Sequence, residues 1–169
     1  MRFLHCFQYC CLFFCLYISS LVLANGVAVG DIAPATQLPN LGDKDTTNLH
    51  HLKGKVVYVD FWASWCGPCR LSFPQLEQLH DELGPQGFAV FAINVDEFEN
   101  DALAFLREIP VSYHVVRDAS GDSPRNWGIL GMPTGFLVDR NGVVRKVHQG
   151  YRKNDGAALR LEIVQLLGE

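Results

Sequence analysis

The stretch Val56-Val57-Tyr58-Val59-Asp60-Phe61-Trp62-Ala63-Ser64-Trp65-Cys66-Gly67-Pro68-Cys69-Arg70-Leu71-Ser72-Phe73-Pro74 decides how the rest of this sequence is read. Val56 to Trp62 is almost continuously apolar, the pattern of a strand covered on both faces. Leu71, Phe73, Leu76, Leu79 and Leu83 then recur at helical spacing up to Gly84-Pro85, with Pro74 inside the pattern predicting a kink. Ala63 to Pro68 is therefore the loop that carries a buried strand into a helix.

Working outward, Phe88 to Val95 reads as a second buried strand, Asn100 to Glu108 as a short helix closed by Pro110, and Tyr113 to Val116 as a strand. Ser123-Pro124 opens a helical turn that runs to Trp127, and Met132-Pro133-Thr134 leads into a strand at Phe136 to Val138. Asn141-Gly142 predicts a two-residue hairpin into Val143 to Val147, and Asn154 or Asp155 is expected to cap a last helix bearing Leu159, Ile163 and Leu166. Strands alternate with helices first and an antiparallel hairpin comes last. That order predicts an α/β domain with a mixed central sheet flanked by helices.

The chain has 169 residues, 49% hydrophobic and 19% charged, enough for one good core and hardly two. Its net charge of -4 and the absence of any basic run give it nothing with which to neutralise phosphates, so nucleic acid is not an expected partner. No internal repeat is present.

The first residues differ from the rest. Phe3 to Gly30 contains no Asp, Glu, Lys or Arg, and Cys10 to Ala24 is an apolar run interrupted only by Ser19 and Ser20. This has the length of a signal-peptide core and falls short of the ~20 residues that a spanning helix needs. Residues 1–24 are expected to be a signal peptide cleaved after Ala24, or failing that an uncleaved anchor tethering the chain through residues 9–24. Either way residues 25–169 form one exported domain, in the periplasm or another extracytoplasmic space.

Cysteine usage then points to chemistry. Cys6, Cys10, Cys11 and Cys15 fall in the leader, which leaves Cys66 and Cys69 as the pair in the exported part. Closing so short a loop restricts the unfolded chain very little. In α/β sheets reactive groups gather beyond the carboxyl ends of the parallel strands, where a loop feeds a helix. Pro68 suits a first helical turn, so Cys66 is expected at or just before the helix start and Cys69 one turn inside. Free N–H groups and the positive helix end favour a thiolate on the outer sulfur. A thiol lowered from ~8.5 to ~7 gains roughly fifteenfold in thiolate at pH 7. Cys66 is the expected nucleophile and Cys69 the resolving thiol. Structural zinc would need two more ligands at metal spacing, whereas His50, His51, His80, His114 and His148 are scattered; haem attachment would need His where Arg70 stands. No metal and no cofactor is expected, and an inert structural disulfide is the remaining alternative.

With WCGPC in this setting, Val56 to Pro74 resembles the active-site segment of the thioredoxin superfamily. Gly30-Asp31-Ile32-Ala33-Pro34, Leu52-Lys53-Gly54-Lys55 and Gly131-Met132-Pro133-Thr134 extend the resemblance to its exported TlpA/ResA-like thiol:disulfide oxidoreductase branch, over about Gly30 to Leu167. The resemblance implies a thioredoxin fold with an N-terminal hairpin extension and an inserted helix-strand element at Asn100 to Val116. It implies that Pro133 is cis and lies against the cysteine pair, and that the backbone of Met132 pairs with a bound polypeptide. Trp65, Gly67 and Pro68 then belong to the substrate surface, with Trp62 and Trp65 part core and part rim.

Asp60 has two readings. A carboxylate inside an apolar strand has a raised pKa unless paired, and beneath Cys69 it can take that thiol's proton; alternatively it is a satisfied buried polar group. The resemblance favours the first, although Ala92 stands where thioredoxins carry a lysine near the acid. The function expected is reduction of disulfides in exported client proteins, because the Gly-Pro dipeptide is that of thioredoxins, near −270 mV, and not of strong oxidants near −120 mV. The resemblance implies re-reduction by a membrane electron donor. Dithiol oxidation or isomerisation, and a non-catalytic assembly or chaperone role, stay open as alternatives. A peroxidase would need a further cysteine. Thr134 replaces the acid that usually follows the cis proline in members specialised for cytochrome c maturation.

Overall fold

The structure is a computed structural model that describes residues 26–169; the expected leader, residues 1–24, lies outside the described residues. Seven strands and four α-helices follow in chain order: β1 (Gln37–Pro39), β2 (Thr46–Asn48), β3 (Val56–Trp62), α1 (Cys69–Leu83), β4 (Phe88–Asn94), α2 (Glu99–Glu108), β5 (His114–Arg117), α3 (Asp122–Trp127), β6 (Thr134–Val138), β7 (Val144–Gln149) and α4 (Asp155–Leu167). Among the described residues no helix is long and apolar enough to cross a membrane.

Five strands form one sheet in the order β5-β4-β3-β6-β7, parallel across β5, β4 and β3 and antiparallel across β3, β6 and β7. Every residue of β3 and β4 is buried, which is why both read as continuous apolar runs. Alternate residues face opposite layers. Val56, Tyr58 and Trp62 with Phe88, Val90 and Ala92 pack under α1, α2 and α4 through Phe73, Phe105 and Ile163. Val57, Val59 and Phe61 with Ala89, Phe91 and Ile93 face Leu49, Leu52, Trp127 and Phe136. β1 and β2 form a separate antiparallel hairpin, the N-terminal extension that the family resemblance implies. The inserted element is present as α2 and the edge strand β5.

Several local expectations are corrected. The turn between β6 and β7 is a three-residue loop, Arg140 to Gly142, closed by Asp139 N–H to Val143 O at 2.9 Å and Gly142 N–H to Asp139 O at 3.0 Å. Gly142 sits at φ +87°, the left-handed residue that such a loop needs. Neither Asn154 nor Asp155 caps α4 forward with its side chain; the Asp155 carboxylate instead accepts the Arg152 N–H at 2.7 Å. Cys69 is the first residue of α1 and Pro68 its cap, with a single turn closed by Cys69 N–H to Cys66 O at 3.2 Å ahead of it. Leu71 follows the helical spacing but is exposed, while Phe73, Leu76, Leu79 and Leu83 are buried. Pro74 lies inside α1, which continues through it.

Candidate active site

β3 ends at Trp62, and Ala63 to Pro68 climbs from the sheet to the start of α1. Cys66 and Cys69 are joined as a disulfide with Cα atoms 5.3 Å apart. The two sulfurs are not equivalent. Cys69 is wholly buried, whereas Cys66, also buried, keeps 4% exposure between the exposed Trp65, Gly67 and Pro68. The Cys69 backbone N–H, which closes the turn to Cys66 O, is shared with Cys66 Sγ at 3.3 Å, so the first amide of α1 also points at the outer sulfur.

An aromatic cluster fixes this corner. Trp62 lies 4.6 Å from Phe73 and 4.9 Å from Phe105, and Phe73 lies 5.0 Å from Phe105, all between ring centroids. These contacts bind the end of β3 to α1 and α2 and hold the loop between them. Arg70 Cζ stands 5.0 Å over the Phe105 ring, and its guanidinium reaches Glu108 at 2.7 Å on the surface.

A polar clamp beneath the loop was not anticipated from the sequence. Asp96, buried just past β4, accepts hydrogen bonds from Ser64 N–H at 2.9 Å, Ser64 Oγ at 3.0 Å and Asn94 Nδ2 at 2.8 Å, and its own N–H donates to Asn94 Oδ1 at 3.1 Å. Ser64 is thereby tied to β4. The available signal was an Asn-x-Asp run after an apolar strand, but nothing in it names Ser64 as partner.

Pro133 is buried, follows a cis peptide at Met132 and precedes β6. The register pairs Phe61 with Thr134, so Pro133 stands beside Trp62 at the same end of the sheet as the cysteine loop. Among the described residues neither the N–H nor the C=O of Met132 has a backbone partner. Exposed apolar side chains crowd this end: Trp65 at 70%, Leu130 at 93% and Phe98 at 63% accessible.

Asp60 lies on the helix-covered face between Tyr58 and Trp62, and its register partners are Ala92 and Gly135. It is 1% exposed, and its Oδ2 has no hydrogen-bond partner. Burial alone pushes its carboxyl up from 3.8 to about 8, with no neighbouring cation to oppose the shift. Among the described residues no side chain or backbone group partners Asp60 Oδ2, which favours the first of the two readings of Asp60. Among the described residues no group of three metal-ligating side chains is gathered anywhere.

The family model described as Redoxin matches residues 28–161. The chain belongs to the Redoxin family. This redoxin is similar to the thiol-disulfide oxidoreductase ResA of Oceanobacillus iheyensis, 33% identical over 125 residues that span 72% of this chain and 65% of the relative. It is 30% identical over 141 residues to the ResA of Geobacillus thermodenitrificans, covering 83% of this chain and 80% of that one. Its fold matches the crystal structure of a Chlorobium tepidum protein assigned as thiol:disulfide interchange protein DsbE, with a TM-score of 0.81 and 44% identity over 85% of this chain and 100% of the other. The redoxin is thus a thioredoxin-fold thiol:disulfide oxidoreductase of the TlpA/ResA-like kind, and Cys66-Cys69 is its redox pair.

Proposed function

We propose that the protein is an exported reductase of disulfides in client proteins, with Cys66 as nucleophile, Cys69 as resolving thiol and Asp60 as proton acceptor. The observation that carries this reading is the asymmetry of the pair, Cys66 keeping 4% exposure among exposed neighbours and Cys69 none, together with an uncompensated acid buried on the helix-covered face of the strand that feeds the loop. In the forward step the Cys66 thiolate attacks a client disulfide. The client S–S bond breaks, one client thiolate leaves and takes a proton from water, and a Cys66–client disulfide forms. Cys69 then gives its thiol proton to the Asp60 carboxylate and attacks Cys66 Sγ. The Cys66-Cys69 disulfide forms, the second client thiolate leaves, and two electrons have passed to the client. A membrane electron donor reverses these steps to restore the dithiol.

The unpaired backbone of Met132 beside Pro133 supports strand-like pairing with an extended client segment, and Trp65, Gly67 and Pro68 supply the surface around the outer sulfur. The uncharged run from Phe3 to Gly30 supports export, with the domain free after cleavage at Ala24 or held by residues 9–24. The Gly67-Pro68 dipeptide supports the reducing direction. Equilibration with glutathione buffers tests it: the reading predicts a potential near −270 mV, and a value above about −180 mV reverses the direction to oxidase or isomerase.

A further inference from the structure

If Asp60 accepts the Cys69 proton, it must also exchange that proton with water, yet it is 1% exposed on a strand whose every residue is buried. Burial keeps the carboxyl at about 8, so near neutral pH it must first shed a proton before it can take another. The register offers a route. Asp60 of β3, Gly135 of β6 and His148 of β7 are successive partners, so they form one row on the helix-covered face, and Ala92 of β4 closes the row on the far side. Strands lie ~4.8 Å apart, which puts the backbones of Asp60 and His148 about 10 Å from each other, too far for direct transfer.

The space between them is taken by Tyr58. A Cβ on Gly135 would collide with the Tyr58 hydroxyl oxygen, so the phenol tip occupies the place in the row that a side chain at 135 would fill. The Tyr58 ring lies 5.8 Å from the His148 ring, centroid to centroid. His148 Nε2 is 2.9 Å from Glu162 Oε2, and Lys146 Nζ is 3.4 Å from the other Glu162 oxygen. His148 and Glu162, each a little over a quarter exposed, line a cleft of about 320 Å³ between β7 and α4, together with Tyr151 and Asp155.

The other titratable groups facing Asp60 do not offer an exit. Tyr113, which packs in from the segment before β5, has a buried hydroxyl without a partner, and beyond it His80 Nδ1 on α1 is buried and unpartnered too. Glu77 on α1 is committed to the Ser112 N–H at 2.9 Å. Tyr151 directs its hydroxyl to Gln75 at 3.3 Å.

We propose that Tyr58 and the His148-Glu162 pair relay the proton of Asp60 to and from solvent through the cleft between β7 and α4. The step moves a proton and no electrons: Asp60 passes its proton to the Tyr58 hydroxyl, which gives up its own to the His148 imidazole, and the His148-Glu162 pair releases it to water. The inference rests on the reading of Asp60 as proton acceptor. Tyr58 and His148 act through Asp60 and are positioning residues, not catalytic ones.

The test is the reaction of the reduced protein with 5,5′-dithiobis(2-nitrobenzoate), followed by stopped flow. Cys66 releases the first chromophore, and Cys69, resolving the mixed disulfide, releases the second. Tyr58→Phe and His148→Ala should each slow the second release near pH 7 by on the order of tenfold and leave the first unchanged, and Asp60→Asn should slow it by about 10²-fold. Millimolar imidazole should restore the rate of His148→Ala but not of Tyr58→Phe, a response that a purely structural role for His148 does not produce. Wild-type second release in Tyr58→Phe and His148→Ala, alongside a slow Asp60→Asn, overturns the relay and leaves the acceptor in place. A fast Asp60→Asn overturns the acceptor reading on which the relay stands.

Discussion

At the scale of single residues, Asp60 carries the largest electrostatic consequence. A carboxyl held at about 8 in the folded chain and near 3.8 when unfolded keeps, between those values, a proton that the unfolded chain has lost. Its contribution to stability is therefore full below pH ~4 and falls by about 1.4 kcal/mol per pH unit until it is gone above pH ~8. Asp60→Asn should remove that slope and raise the stability of the oxidised protein at pH 8 by on the order of 4–6 kcal/mol. Urea unfolding at several pH values checks this; an unchanged slope in the variant contradicts it. Asp60 was legible because an acid inside an apolar strand breaks the pattern, and the register confirms Ala92 as its neighbour where a lysine was to be missed. The Ser64-Asn94-Asp96 clamp was not legible. Its partners are 32 residues apart, and only the pairing of Trp62 with Asn94 brings them together.

Among the elements, the strand-to-helix junction depends on that clamp. Asp96→Ala leaves the Ser64 N–H and the Asn94 amide without their acceptor in a buried place, at a cost of about 2–4 kcal/mol. The expected result is a lower urea midpoint with an unchanged slope, and a stability equal to wild type would show that the loop does not need the tether. The β6-β7 turn gives a smaller and purely local case. Nothing stands within 4 Å of a Cβ at Gly142, so Gly142→Ala tests only the left-handed backbone and should cost about 1 kcal/mol by thermal or urea unfolding. The elements were largely readable because β3, β4 and α1 bury long apolar patterns. The turn length was not, because Asn-Gly serves two-residue loops and also the end of a three-residue loop, and hydrogen bonding from Asp139 chose between them. The spacing that put Leu71 with the core residues likewise could not show that α1 starts at Cys69, which turns Leu71 outward beside the site.

For the molecule as a whole, chemistry collects at one end of the sheet. The loop after β3, the segment after β4 and the turn before β6 converge there, and their apolar tips Trp65, Phe98 and Leu130 remain uncovered. An enzyme that acts on a polypeptide disulfide has a use for such a rim, since burying one large apolar side chain contributes about 1.5–3 kcal/mol. Leu130→Ser should raise KM for insulin several-fold with kcat little changed, and a fall in kcat alone would place Leu130 outside binding. The fold class, the inserted element and the redox pair were all within reach of the sequence. β1 and β2 have three residues each and too little pattern to be read from periodicity, so the hairpin was an expectation only through resemblance. The measurement closest to the central claim is capture of the mixed disulfide. After the single-cysteine variants are reduced and mixed with oxidised insulin, intact mass spectrometry should find an insulin-chain adduct on Cys69→Ser and none on Cys66→Ser; an adduct on Cys66→Ser alone would contradict the assignment of Cys66 as the attacking sulfur.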